Sequence, residues 1–248
     1  MLHSMLTVLE LVQFIDLTNL STTLSDAEIA ELKCQACNKY APPASICIQK
    51  EYLTDFKDIR EKGILLATVA NFPHGNSSDT ALSGEINFIL EQGADEIDIV
   101  APIPKLLNAT ATEAYDETDR VLKLALDIAK TSVKFKLITE TDMILDTAIQ
   151  KAICQAAIDN KVNFLKTCTG KNGNGATLDA VAVYCDTIQK NKADIGIKVS
   201  GGIATIEAAT EFYTLIQNTM GREWVSPKHF RIGSSKLLKN IIEKSENC

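Results

Sequence analysis

The 248-residue chain is 46% hydrophobic and carries 32 Asp and Glu against 25 Lys and Arg, for a formal net charge of -7. Such an acidic balance disfavours a broad polyanion-binding face, because nucleic acids and acidic membranes demand clustered cations, although a local anion pocket remains open to it. The length suits one large domain or two small ones and is sufficient to bury a substantial core.

Residues 1–13 are apolar but include Glu10 and lack a basic flank and a small-residue cleavage site, so they predict a first helix and not a signal peptide. Short apolar, β-branched runs then recur as predicted strands over 14–17, 45–48, 64–69, 96–100, 135–139, 163–167, 195–199 and 230–233. Helical patterns lie between them. Ser25 followed by Glu28 is a capping box that opens the first of these. Ala114, Val121, Leu124, Ala125 and Ile128 share one helical face, and further helices are predicted over 144–158, 178–188, 206–216 and 237–242. Roughly eight strand-helix units with a period near 30 residues predict a single (β/α)8 TIM barrel over residues 1–248, preceded by a short N-terminal helix. A doubly wound open sheet is the alternative. No linker-like tract divides the chain, and no apolar run approaches the length of about 20 residues needed to span a membrane. Seven cysteines, Cys34, Cys37, Cys47, Cys154, Cys168, Cys185 and Cys248, are odd in number and scattered, which points to a reducing, cytoplasmic compartment and away from a secreted disulfide framework.

Charged residues interrupt these strands. Parallel strands covered on both faces normally read as continuous apolar runs, yet Asp98 sits in Glu-Ile-Asp-Ile-Val, Lys166 in Asn-Phe-Leu-Lys-Thr and Lys198 in Ile-Gly-Ile-Lys-Val, while Glu140 ends Lys-Leu-Ile-Thr-Glu. An unpaired buried charge is costly, so these groups either face outward or meet partners inside the barrel. Two lysines and an acid near the carboxyl ends of barrel strands stand where this fold places its chemistry. An amine attacks a carbonyl only when unprotonated, and a neighbouring cation such as Lys198 would favour the neutral form of Lys166. The iminium so formed is an electron sink that requires neither metal nor cofactor.

Three glycine- and serine-rich turns follow the charged strands: 169–175, Ser200-Gly201-Gly202 and Gly233-Ser234-Ser235. Backbone amides in such turns and at a helix N-terminus suit a phosphate, a placement common after the seventh and eighth strands of this barrel. The run from Gly170 to Thr177 half-imitates a P-loop, but Ala176 stands at the lysine position and that reading fails. Cys34 and Cys37 form a Cys-x-x-Cys within a helix without a second ligand pair, and are expected to be packing residues. His3, His74 and His229 are too few and dispersed for a metal site, His74 reads as structural, and Trp224 is expected to pack before the last strand. Cys47 faces either the barrel mouth or the core.

Phe164-Leu165-Lys166-Thr167-Cys168-Thr169-Gly170 with Gly175-Ala176-Thr177 resembles the active-site segment of the deoxyribose-phosphate aldolases, which are class I aldolases. The resemblance extends to Ile15-Asp16-Leu17-Thr18, the stretch from Ala67 to Gly75, Gly93-Ala94-Asp95-Glu96-Ile97-Asp98, the stretch from Lys198 to Ile203, and Arg231-Ile232-Gly233-Ser234-Ser235. It implies reversible cleavage of 2-deoxy-D-ribose 5-phosphate to D-glyceraldehyde 3-phosphate and acetaldehyde. Lys166 would form the Schiff base, Lys198 would lower its pKa and assist proton transfer, and Asp98 would hold the group that carries the proton. Gly170, Lys171, Gly201, Gly202, Gly233 and Ser235, with Ser234 between the last two, would take the phosphate, and Asp16, Thr18 and Thr169 would lie near the sugar hydroxyls. The implied partners are small phosphosugars and aldehydes, with no nucleic acid, membrane or metal; homo-oligomer formation is left open. Relatives often carry Arg where this chain has Ala204 and Ser where it has Lys236, so Lys236 is a candidate replacement for the missing cation. The rivals are another imine-forming barrel aldolase, such as a transaldolase-like enzyme, and a noncatalytic phosphosugar-binding barrel.

Overall fold

The computed structural model describes residues 7–246; the first residues of the predicted N-terminal helix, His3 and Cys248 lie outside that range. Eight parallel strands, β1 (Ile15–Asn19), β2 (Ser45–Ile48), β3 (Leu65–Ala70), β4 (Glu96–Val100), β5 (Lys134–Ile138), β6 (Phe164–Lys166), β7 (Gly196–Ser200) and β8 (Phe230–Ser234), pair in sequence order. β8 returns to β1 in the register Asp16 with Gly233, which closes a (β/α)8 TIM barrel and excludes the open sheet. Each predicted strand is present within a residue or two of its expected bounds.

Helices α1 (Val8–Val12), α2 (Asp26–Ala36), α3 (Asp79–Gln92), α4 (Ile103–Leu106), α5 (Ala111–Ala129), α6 (Thr147–Asp159), α7 (Leu178–Asn191), α8 (Ile206–Met220) and α9 (Leu237–Glu246) accompany the strands. The capping box expected from Ser25 and Glu28 is reciprocal: the Glu28 amide donates to Ser25 Oγ at 3.4 Å and the Ser25 amide to Glu28 Oε2 at 2.8 Å. α6 starts at Thr147, later than predicted, because the Asp146 carboxylate takes the Ala148 and Ile149 amides at 2.7 and 3.3 Å and so caps the helix there. The crossover from β2 to β3 is a 3-10 segment, Lys50–Lys62. Its buried residues, Leu53, Phe56 and Ile59, recur every third position, the spacing that aligns side chains on one face at three residues per turn.

Outward-facing strand residues such as Leu17, Ile46, Ile97, Leu137, Leu165, Val199 and Ile232 belong to one apolar annulus between barrel and helices. The barrel's interior differs from the stacked layers of branched aliphatics usual in this fold. It holds a small separate apolar cluster of Cys47, Ala67 and Val69 on β2 and β3 and the Phe164 ring of β6, and buried charge fills much of the rest.

Candidate active site

Period-two alternation points Asp98 of β4, Lys136 of β5, Lys166 of β6 and Lys198 of β7 into the barrel. Asp98 pairs in register with Lys136, and Lys166 with Lys198. Asp98 is the hub. Its Oδ2 accepts from Lys166 Nζ and from Lys198 Nζ, each at 2.7 Å, and its Oδ1 accepts from Lys136 Nζ at 2.8 Å. Lys198 Nζ also lies 2.6 Å from Asp16 Oδ2, and Lys136 Nζ lies 2.6 Å from Glu96 Oε2. Arg231 of β8 donates to Asp16 Oδ1 at 2.7 Å and approaches Glu96 Oε1 at 3.5 Å, with its guanidinium over the Phe164 ring.

The seven groups are all nine-tenths or more buried, yet the three lysines are not shifted alike. Burial opposes every charge here. Around Lys136 the carboxylates of Asp98, Glu96 and Asp16 outweigh it and hold the ammonium far above its usual range, and around Lys198 Asp16 and Asp98 do the same more weakly. Burial likewise opposes ionisation of Asp16 and Asp98, but the surrounding cations dominate and keep both well below the ordinary carboxylate range. Lys166 goes the other way: burial pushes its pKa down, Asp98 opposes that shift and the charge of Lys198 assists it.

Above this network opens a cavity of about 690 Å³, with Lys166 at its lining. Thr18, Thr169, Gly170, Lys171, Gly201, Gly202, Gly233, Ser234, Ser235 and Lys236, all expected binding residues, line it. Asp16, Asp98 and Lys198 do not; they lie fully buried in the network beneath. Thr18 donates its hydroxyl to the Asp16 carbonyl at 2.8 Å. The Ser234 hydroxyl is committed to the protein, donating to the Ile203 carbonyl at 2.6 Å and accepting the Lys236 and Leu237 amides at 3.2 and 3.0 Å. Lys171 and Lys236 are exposed, and neither pairs with a carboxylate among the described residues.

Glycine is dictated where these loops crowd. A methyl group at Gly233 would lie 3.0 Å from Lys198 Cε and from Ser200 Cβ, so the bare backbone of β8 makes room for the buried lysine. Gly175 and Gly201, both at positive φ, touch backbone to backbone, and the Ala176 amide donates to the Gly201 carbonyl at 3.2 Å. The glycine-rich run that imitates a P-loop therefore docks one loop on another.

Three members of the network, Glu96, Lys136 and Arg231, were not among the predicted site residues. Alternation was the available signal for Glu96, which lies two residues before Asp98 and so shares the inward face of β4, whereas Lys136 is brought inward beside Asp98 by the register of β5 on β4. Glu140 and Asp142, just after β5, hold the Thr169 and Gly175 amides at 3.0 and 2.7 Å. Cys47 is buried in the interior, where burial raises its thiol pKa and the charges of Asp98, Lys198 and Lys166 act on it. Cys34 and Cys37 correct the expectation of packing: α2 buries Leu32 and Ala36, and both thiols are exposed. Trp224 stacks on His229 at 5.0 Å as expected for a packing residue, and His229 Nε2 meets Asp194 at 2.7 Å, away from the cavity.

The fold has many solved counterparts. A provisionally named deoxyribose-phosphate aldolase from Coccidioides immitis superposes with a TM-score of 0.81 at 24% identity, over 96% of this chain and 87% of its own. One from Toxoplasma gondii, similarly named, gives 0.85 at 18% identity over 96% and 93%. A tetrameric deoxyribose phosphate aldolase from Aeropyrum pernix gives 0.74 at 21% identity over 98% and 94%. At these identities the likeness carries the barrel alone. Residues 11–225 match the profile of the DeoC/LacD family aldolases, a span that takes in every charged strand residue of the barrel interior except Arg231, and the chain therefore belongs to that family of carbon-carbon lyases.

Proposed function

We propose that the protein cleaves 2-deoxy-D-ribose 5-phosphate reversibly to D-glyceraldehyde 3-phosphate and acetaldehyde through a Schiff base on Lys166. The observation that carries this reading is the placement of Lys166, a buried base set among paired charges and lining the cavity. Three carboxylates, Asp16, Glu96 and Asp98, face four bases, Lys136, Lys166, Lys198 and Arg231. Burial pushes down the pKa of Lys166, and Lys166 is the base of this set that reaches the cavity. A neutral amine at the floor of an open cleft is a nucleophile for an aldehyde.

The amine adds to C1 and loses water to give the iminium. Removal of the C3 hydroxyl proton then breaks the C2–C3 bond, the electrons moving into the iminium to form an enamine and release glyceraldehyde 3-phosphate. Protonation of the enamine at C2 and hydrolysis release acetaldehyde and restore the amine. Lys198 shares Asp98 Oδ2 with Lys166, so the carboxylate that fixes both lysines can also relay a proton from one to the other. The phosphate would rest among Gly170, Lys171, Gly201, Gly202, Gly233, Ser235 and the first turn of α9, with Lys236 as a point charge; Ser234 would contribute by capping that turn and not through its hydroxyl. Thr18 and Thr169 would meet the sugar hydroxyls, and Asp16 would act from below through Lys198. The reading places the enzyme in the cytoplasm as a single barrel domain acting on small molecules, and the tetramer of the Aeropyrum pernix protein makes self-association a reasonable companion proposal.

Borohydride added with deoxyribose 5-phosphate is expected to fix the substrate's mass on the peptide containing Lys166 and to stop acetaldehyde release. Label on Lys171 or Lys198 would reassign the nucleophile. Transfer of dihydroxyacetone units without acetaldehyde would favour a transaldolase-like enzyme.

A further inference from the structure

The loop that carries Thr169, Gly170 and Lys171 into the cavity has few apolar anchors: Asn172 is half-buried, and Gly170, Lys171, Gly173 and Asn174 are exposed. Two carboxyl groups from the turn after β5 hold it. Glu140, fully buried and at φ 53°, receives the Thr169 amide on both oxygens at 3.0 and 3.3 Å and the Asn172 side-chain amide at 3.4 Å. Asn172 Nδ2 also donates to the Pro73 carbonyl at 3.0 Å, tying the same loop to the turn after β3. Two residues on from Glu140, Asp142 Oδ2 receives the Gly175 amide at 2.7 Å. Gly173 packs against this carboxylate so closely that a methyl group there would overlap Asp142 Oδ2. Gly175 in turn lies on Gly201, so the grip reaches the second glycine loop of the cavity through the bond from Ala176 to Gly201.

We propose that Asp142, with Glu140 beside it, is a positioning residue that sets the loop of Gly170 and Lys171 for the phosphate of the substrate. It touches neither the cavity nor Lys166, so its action is through the loop backbone. A carboxylate accepting a backbone amide makes one of the stronger hydrogen bonds available to a loop, and it holds a segment that its own packing would leave free. The consequence belongs to substrate binding and not to imine chemistry. Loosening the grip spreads Gly170 and Lys171 over several positions, and the phosphate must then order them at its own expense. The proposal rests on the reading of this cavity as a phosphosugar site, and it identifies which residues outside the cavity determine affinity for the phosphate.

The test compares KM and kcat of Asp142→Ala, Asp142→Asn and Gly173→Ala on deoxyribose 5-phosphate and on deoxyribose. Asp142→Ala is expected to raise KM for the phosphorylated sugar by about 5- to 20-fold, the loss of one charge-assisted bond acting indirectly, with kcat within about twofold. KM for deoxyribose should hardly move. Asp142→Asn keeps an oxygen for the Gly175 amide and should recover most of the affinity. Gly173→Ala displaces the carboxylate from outside, so it should reproduce the KM effect in wild type and add nothing on top of Asp142→Ala. Unchanged KM in Asp142→Ala, or equal loss on both sugars, would overturn the proposal. Borohydride trapping of wild type with deoxyribose 5-phosphate separates the two ideas: an imine that forms normally while Asp142→Ala binds normally defeats the clamp alone, whereas no imine defeats the functional reading itself.

Discussion

At the scale of single residues, the difference between Lys166 and Lys198 comes from where their carboxylates sit. Both reach Asp98 Oδ2 at 2.7 Å, but only Lys198 has a second acid, Asp16 Oδ2, at 2.6 Å. Two carboxylates outweigh the burial of Lys198 and keep it a cation; one does not outweigh the burial of Lys166 when a cation stands alongside. Lys198→Leu removes that cation and leaves Asp98 with one less partner, so the Lys166 ammonium becomes more stable. The acidic limb of the kcat/KM profile is expected to move to higher pH, and turnover at neutral pH to fall by at least about 100-fold as proton transfer is lost. Near-normal neutral turnover with an unmoved profile would remove Lys198 from the mechanism.

Among the elements, the turns after β7 and β8 would, under the proposed function, decide how the cavity meets a phosphate. The Ala204 carbonyl accepts from Asn240 Nδ2 at 2.8 Å, which seats the turn after β7 against α9 one helical turn beyond Lys236. Ala204 and Lys236, where the resemblance implies Arg and Ser, line the same cavity. A cation absent from one element can be supplied by the other, as a point charge without the fork of an arginine. Lys236→Ser is expected to lower kcat/KM for the phosphorylated sugar by about 10- to 150-fold, the worth of a charged hydrogen bond of about 1.5 to 3 kcal/mol. Unphosphorylated deoxyribose should be nearly unaffected, and Ala204→Arg with Lys236→Ser should recover much of the loss. An equal small change on both sugars would make Lys236 a solvated surface residue.

For the molecule as a whole, the charged interior is a stability problem solved by pairing. A lysine whose folded pKa lies below its unfolded value of about 10.4 opposes folding at every pH below that value, because the unfolded chain binds the proton more readily. Lys166 is such a group, so Lys166→Met should abolish activity yet raise Tm at neutral pH by a few degrees, of the order of 0.5 to 2 kcal/mol. Arg231 has the opposite sign. It satisfies Asp16 and Glu96, and Arg231→Met leaves buried carboxylates short of a cation, at a cost of about 3 to 5 kcal/mol. Thermal unfolding of the two variants decides the matter; a destabilised Lys166→Met would contradict the depressed pKa. The depressed carboxylates give the complementary acid behaviour. Asp16 and Asp98 stabilise the fold above their unfolded pKa of about 3.9, and that contribution disappears as pH falls through their lower folded values.

The alternation of β-branched runs with helical patterns determined an alternating parallel α/β fold and favoured the barrel, because parallel strands buried on both faces and amphipathic crossovers each leave a periodic trace in the chain; the pairing of β8 with β1 then excluded the open sheet. The same trace located Lys166, Lys198 and Asp98 as charges out of place in apolar strands, and the glycine turns as the cavity rim. It did not reveal that Lys136, Glu96 and Arg231 complete one network, since pairing across strands depends on the register and closure of the sheet and not on distance along the chain. Nor did it reveal the grip of Asp142 on Gly175, 33 residues away. Local periodicity records which face of an element is buried; only the closed barrel decides which buried charges meet, and therefore which lysine has its pKa pushed down.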